Sequence, residues 1–188
     1  MENIYLDIIR RANDTAYLYG DLIAPVGGND HVYKCTMPGT SGSSPPTFNT
    51  GEGSTTDDGA VVWTEYNPSG ISYSTALQFI HGPRYGDYKR KKQYIQPIDY
   101  SDGDDIYIYD KGLSARNTRE ITFQRMITAD LTRLLEFIEI VRGAKFAFNF
   151  YDENGTEHKA LLINPDDITS APVAYGIEGE ITLELLFV

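Results

Sequence analysis

A single cysteine, Cys35, stands in 188 residues, which excludes an internal disulfide framework and a cysteine-rich zinc site. Long apolar runs are missing too: no stretch reaches the roughly 18 residues that a membrane-spanning helix requires. The start, Met1 to Asp7, lacks the basic segment and apolar core of a secretory leader, so a soluble protein made in the cytoplasm is expected. Positive charge is scarce. Lys and Arg number 16 against 27 Asp and Glu, giving a net charge of −11 and a pI near 4.6. Such a balance repels nucleic acid and anionic membranes, and neither nucleic-acid binding nor membrane insertion is expected. His31, His81 and His158 are scattered, none in a metal spacing such as His-Glu-x-x-His. No nucleophile, base and orienter come together in the sequence. The expectation is no enzyme, no metal and no cofactor.

Other polar motifs read as backbone geometry. Gly39-Thr40-Ser41-Gly42 lacks both the spacing and the strand-to-helix setting of a nucleophile elbow. Asp102-Gly103-Asp104-Asp105 has part of a calcium loop but not its later Glu, and reads as a solvated turn. Cys35 reads as a small buried hydrophobe. Lys89-Arg90-Lys91-Lys92 is the one basic cluster. It fits a solvated hairpin end, a patch for an acidic neighbour in an assembly, or a nucleic-acid contact, though no aromatic stacking platform accompanies it. As an assembly interface it would face acidic residues of a neighbouring subunit.

What is present in quantity is apolar and aromatic: 41% hydrophobic residues and 14 Tyr, enough for a core and suited to strands. Asn67-Pro68-Ser69-Gly70 is a turn-type joint, dividing a small module (1–66) from a larger domain (71–188). In the module, a short strand near Leu22–Ile23, a second at His31–Thr36 and a third at Val61–Tyr66 are expected. Gly27 to Asp30 supplies a hairpin turn. The loop chemistry from Pro38 to Pro46 then serves as a packed crossover carrying Phe48 under the sheet, where Tyr33, Phe48 and Trp63 make a miniature core. Such a module should be separable, and should unfold alone when Trp63 is truncated.

The larger domain reads as an antiparallel β-sandwich or open barrel with one packed helix. Arg119 to Gln124 alternates as a half-buried strand. The spacing of Leu131, Leu134, Leu135, Ile138 and Val141 predicts a helix over 128–142, with Thr128 as N-cap, Arg142 in the last turn and Gly143 just beyond. Phe146, Phe148 and Phe150 share one face of a strand, and Asn154-Gly155 turns the chain into a return strand. A closing strand runs from Ile177 to Val188. One helix covers only part of this apolar surface, so edges at the closing and aromatic strands are expected to pair with neighbouring subunits.

Both parts also resemble known families. Ala16-Tyr17, Tyr19-Gly20-Asp21, Ile23 and Pro25, then Val32 to Thr36, Gly39 to Gly42, Pro46-Thr47-Phe48, Asp58-Gly59 and Val62-Trp63 resemble a small module of tailed-bacteriophage structural proteins. In that module the loop usually ends in Pro-Thr-Trp; here Phe48 stands in the Trp place. The module is similar to small carbohydrate-binding modules, which implies a sugar-contacting or docking surface at Tyr33, Phe48, Trp63 and Tyr66. The alternative is that Tyr33, Phe48 and Trp63 only form a core. The strand Arg119–Met126, the helix and the run "VRGAKFAFNFYDENGTEHKALLINP" resemble phage tail proteins of the tube and distal-tail type. That resemblance implies six-fold rings around a channel, with sheets joined edge to edge. The expected role is a virion structural protein, a distal-tail or tail-tip ring component. Tail-tube, tail-completion and head–tail joining proteins remain alternatives, as does a host-surface carbohydrate-binding tail module. The implied partners are copies of the chain itself, other tail proteins and a host cell-surface glycan, in the phage tail.

Overall fold

The computed structural model describes residues 4–67, 71, 73, 76–79, 83, 88–93, 98–100, 106–108, 116–165, 168 and 172–188. From the N-terminus come β1 (Tyr5–Asp7), β2 (Ala16–Tyr17), β3 (Leu22–Ile23), β4 (Tyr33–Met37), β5 (Gly39–Thr40), β6 (Thr55–Asp58) and β7 (Val61–Glu65). Next are β8 (Leu77–Gln78), β9 (Tyr88–Gln93), β10 (Ile98–Tyr100), β11 (Ile106–Ile108), β12 (Arg116–Phe123) and β13 (Met126–Ile127). Helix α1 (Thr128–Val141) follows, then β14 (Phe148–Tyr151), β15 (Glu157–Leu162), β16 (Pro172–Ala174), β17 (Ile177–Glu178) and β18 (Ile181–Phe187). The fold is mainly β with antiparallel sheets and one helix among the described residues.

Seven strands make the principal sheet, in the order β8-β1-β14-β15-β18-β12-β9. Its register follows from alternation. Ile121 lies opposite Leu183 and Phe123 opposite Ile181, so the buried residues of β12 and β18 share one face. Gly155, in the left-handed region, closes the β14–β15 hairpin at the expected Asn-Gly turn. The closing strand is not an edge. Its first part, β17, joins β13 and β16, while β18 lies between β15 and β12. The aromatic strand β14 is likewise flanked, by β1 and β15. Unpaired edges were expected at these two strands, and the structure corrects this: among the described residues the sheet's edges are β8 and β9.

A second correction concerns the N-terminus. Residues 5–7 pair with β14 and β8 inside the principal sheet, and Ile4, Leu6 and Ile8 are buried in its core. Tyr73 fastens this strand: its hydroxyl donates to Asp7 Oδ1 at 2.6 Å and accepts from the Ile8 amide at 2.9 Å. The small sheet is therefore inserted between two strands of the large one. It has four strands, β3-β4-β7-β6, where three were expected, because Thr55–Asp58 pairs with β7 before the Asp58-Gly59 turn. Its own core is Tyr17, Ile23, Tyr33, Cys35, Val61 and Trp63, with Phe48 against it. Leu22, Ala24 and Val32 instead join the principal core, so the inserted sheet supplies cover that the helix alone does not.

Helix α1 spans 128–141, near its expected bounds, but its ends differ. The N-cap is Ile127, without a side-chain cap, because Ile127 is still paired with Ile177 in β13. The Thr128 amide donates to the Gly176 carbonyl at 3.1 Å instead, and its hydroxyl donates to Glu178 at 3.0 Å. This sheet contact replaces the capping side chain for one of the free amides. Arg142 is already left-handed and ends the helix. The buried stripe is Asp130, Leu134, Phe137, Ile140 and Val141, whereas Leu135 is exposed and Leu131 and Ile138 are only partly covered. The helix is rolled so that Phe137 meets Phe148 edge-on at 5.2 Å, burying the larger aromatic area.

Candidate functional site

The loop from Pro38 to Pro46 packs against a buried ion pair. Arg11 and Asp58 have side chains 1% exposed, and Asp58 accepts from Arg11 Nε at 3.0 Å and from Nη2 at 2.8 Å. The Trp63 indole N–H donates to Asp58 Oδ2 at 3.0 Å, and the Gly42 amide to Oδ1 at 2.9 Å. Arg11 Nη2 returns hydrogen bonds to the carbonyls of Gly42 and Ser44, and Nη1 contacts Asn13. Burial pushes the Asp58 carboxyl up, but these donors outweigh it and hold the group below the ordinary carboxylate range. The whole loop is thus anchored on two charges supplied by distant parts of the chain.

Gly39 to Gly42 has the structural meaning expected of it, with more regularity than a loop. Gly39–Thr40 pairs with Ala16–Tyr17, and the buried Ser41 hydroxyl donates to the Ala12 carbonyl at 2.8 Å. Gly59 has φ +65°, and a Cβ there would lie 2.7 Å from both Gly42 N and Thr40 O. That close approach, together with its left-handed backbone, accounts for glycine at this turn.

Of the proposed sugar or docking residues, Tyr33 and Trp63 are fully buried. Trp63 meets Tyr17 edge-on at 4.8 Å, and Tyr33 lies 4.5 Å from the half-buried Phe48. Tyr33 and Trp63 have no exposed face to offer a sugar, and with the half-buried Phe48 they form the miniature core. Tyr66 is elsewhere, at the junction with the principal core. It packs edge-on to Phe146 at 5.6 Å, with Lys34 Nζ at 5.7 Å and Arg142 Cζ at 5.6 Å from its ring. The structure therefore does not bring the four aromatics into one exposed platform.

Two titratable groups singled out from sequence, His31 and Cys35, are engaged structurally. His31 Nδ1 is 2.9 Å from the buried Glu65. Cys35 is buried, its thiol lies 3.3 Å from the Met37 carbonyl, and burial raises its pKa, the reverse of an activated nucleophile. His81 and Asp102 to Asp105 lie outside the described residues. Among the described residues no group of three or more His, Cys, Asp or Glu is placed to hold a metal.

Sequence reasoning missed a second charged cluster, at one end of the principal sheet. Arg119 is buried, its Cζ 5.5 Å from the Phe150 ring and 5.2 Å from Phe187, with Asp152 and Glu153 carboxylates at 3.7 Å. His158 stacks on Phe187 at 4.7 Å and lies 3.1 Å from Asp152 Oδ2. Burial raises the Asp152 pKa, but His158, the amides of Asn154 and Thr156, and Arg119 bring it down to about 2. This carboxylate clamps the β14–β15 turn. The available signal was the Asp-x-Asn-Gly turn itself, whose Asp accepts from the backbone two and four residues on.

The basic run lies within strand β9. Lys89 Nζ is 2.5 Å from Glu120, and Arg90 Nη2 is 3.4 Å from Glu153. Backbone register places Lys91 opposite Thr118 and Lys92 opposite Asn117. Among the described residues β9 is paired only with β12, so its other edge carries no strand. Compared with protein-family models, curated proteins and solved structures, the chain matches none.

Proposed function

We propose that the chain is a virion structural protein of a tailed phage, a distal-tail or tail-tip component that assembles with copies of itself into a closed, six-fold ring. One observation supports this reading above the others: among the described residues strand β9 is an edge of the principal sheet, and it carries Lys89, Arg90, Lys91 and Lys92 in succession. Lysine-rich edges oppose pairing with an identical edge, since like charges would face each other. A two-fold, edge-to-edge dimer through β9 is thereby disfavoured. An acidic surface of another copy is favoured, and a chain of net charge −11 has such surfaces in quantity. A contact between unlike surfaces is heterologous, and heterologous contacts close into rings when the rotation permits.

The resemblance of residues 14–66 and of the α1–β14–β15 run to phage tail proteins supplies the tail setting. Other tail proteins are then the neighbours above and below the ring, and assembly takes place in the host cytoplasm. The alternative tiers are tail tube, tail completion and head–tail joining. The buried state of Tyr33 and Trp63 gives the host-glycan reading no comparable support. No catalytic role is proposed, because among the described residues His31, His158, Cys35, Asp58 and Asp152 are committed to packing and clamps. Reversing Lys89 to Lys92 to four glutamates tests the edge. It should abolish assembly without unfolding the chain, and the wild-type contact should weaken as salt is raised. Unchanged assembly of the reversed chain would overturn the role given to β9.

A further inference from the structure

A groove of about 400 Å³ lies where the Leu18–Asp21 turn of the inserted sheet approaches the β14–β15 hairpin, lined by Tyr19, Leu22, Phe146, Leu161, Lys145 and Lys159. Its size is within the range of small recognition sites. Tyr19, on its wall, is 69% exposed, and the preceding residue, Leu18, is 72% exposed. Tyrosine is enriched among the residues that carry most of the energy of binding surfaces.

Two lysines, Lys145 and Lys159, line this groove, and Lys34 approaches its Tyr19 wall. Lys34 Nζ sits between the rings of Tyr19 (5.9 Å) and Tyr66 (5.7 Å), Arg142 lies over Tyr66, and Lys145 Nζ is 5.5 Å from the Phe146 ring. Arg10, Arg11, Lys89, Arg90 and Arg119 all form ion pairs. Among the described residues Lys34, Lys145 and Lys159 form none, as Arg116, Arg125, Arg133 and Arg142 do not elsewhere, although acids outnumber bases 27 to 16. Asp21 also lines the groove, but its carboxylate accepts from the Leu18 amide at 2.7 Å and shapes the turn.

We propose that this groove docks an acidic segment of a partner protein, which seats one apolar side chain between Tyr19 and Phe146 and places flanking carboxylates on Lys145, Lys159 and Lys34. Charge complementarity selects an anionic occupant, and the apolar lining with exposed Leu18 and Tyr19 selects a side chain over a bare ion. The site is independent of β9 and of ring formation.

The test uses the full chain, labelled with ¹⁵N. The probe is a capped pentapeptide with two glutamates on either side of a central leucine; its control replaces the glutamates by glutamine. Amide shifts should move at Tyr19 to Leu22, Lys145 to Ala147 and Lys159 to Leu161 with the glutamate peptide, and not with the control. Lys145→Glu with Lys159→Glu should lower affinity by about tenfold, two exposed pairs each contributing a factor of about three, while other amide positions stay in place. Four results would overturn the proposal: no shifts at millimolar peptide, equal shifts from the glutamine control, shifts confined to Lys89–Lys92, or an unaffected double variant. A trimer of galacturonic acid that moves these amides when the peptide does not would overturn the peptide assignment. So would concentration-dependent self-association that the same double variant abolishes while peptide binding persists.

Discussion

Replacing Asp58 by Ala removes the acceptor of four hydrogen bonds at once: two from Arg11, one from the Trp63 indole and one from the Gly42 amide. The guanidinium of Arg11 would stay buried with only carbonyls around it. Breaking a buried ion pair from one side costs about 3–5 kcal/mol, and each orphaned N–H adds about 1–3 kcal/mol where water cannot enter. A loss of at least about 4 kcal/mol is expected, a large part of the roughly 5–15 kcal/mol available to a domain. Arg11→Met should cost less, about 3 kcal/mol, because Asp58 keeps its two N–H donors. The double variant should cost well under the sum of the two, with a coupling of about 2–3 kcal/mol. Urea unfolding is the assay, read by the fluorescence of Trp63, the one tryptophan of the chain, and by far-UV circular dichroism. The two signals should share a midpoint, since Leu22, Ala24 and Val32 tie the inserted sheet to the principal core. A single-variant loss below about 1 kcal/mol, or strict additivity, would refute the anchoring role of the pair.

Two further variants probe the turns. Asp152 has a pKa depressed from 3.8 to about 2, so its stabilisation is complete above pH 4 and is lost as pH falls towards 2. The difference corresponds to about 2 kcal/mol, and Asp152→Asn should flatten acid unfolding between about pH 4 and 2; an unchanged acid limb in the variant would contradict this clamp. Gly59→Ala combines a left-handed backbone with a Cβ at 2.7 Å from Gly42 N and Thr40 O. It should cost about 2–4 kcal/mol by urea titration, and a neutral result would mean that the 39–42 segment yields easily.

How much of this was legible follows from how local each signal is. The α1 span, the β14–β15 hairpin and the strand alternation of β12 and β18 lie within windows of a few residues, where periodicity and Asn-Gly suffice. The roll of α1 depended on which side of the helix met Phe148, a tertiary matter that put Phe137 inside and Leu135 outside. Nothing in the sequence around Tyr5 to Asp7 marks it as a partner of Phe148 to Tyr151, more than 140 residues on, so the insertion of the small sheet was not readable. The edge assignment failed for the same reason: the C-terminal strand is last in sequence but central in space. The Arg11–Asp58 anchor was hidden by 47 residues of separation, although the aromatic part of that core, Tyr33, Phe48 and Trp63, was foreseen. The expected site was partly legible in identity and not in exposure, because an aromatic residue reads alike in a core and on a platform.

The central claim is self-assembly into a closed ring, and the mass of the particle in solution tests it most directly. Native mass spectrometry of the purified chain at rising concentration should show one discrete closed species, expected at six copies of the 21.1 kDa chain, disappearing when Lys89 to Lys92 are reversed in charge. A chain that remains monomeric throughout that range would contradict the ring.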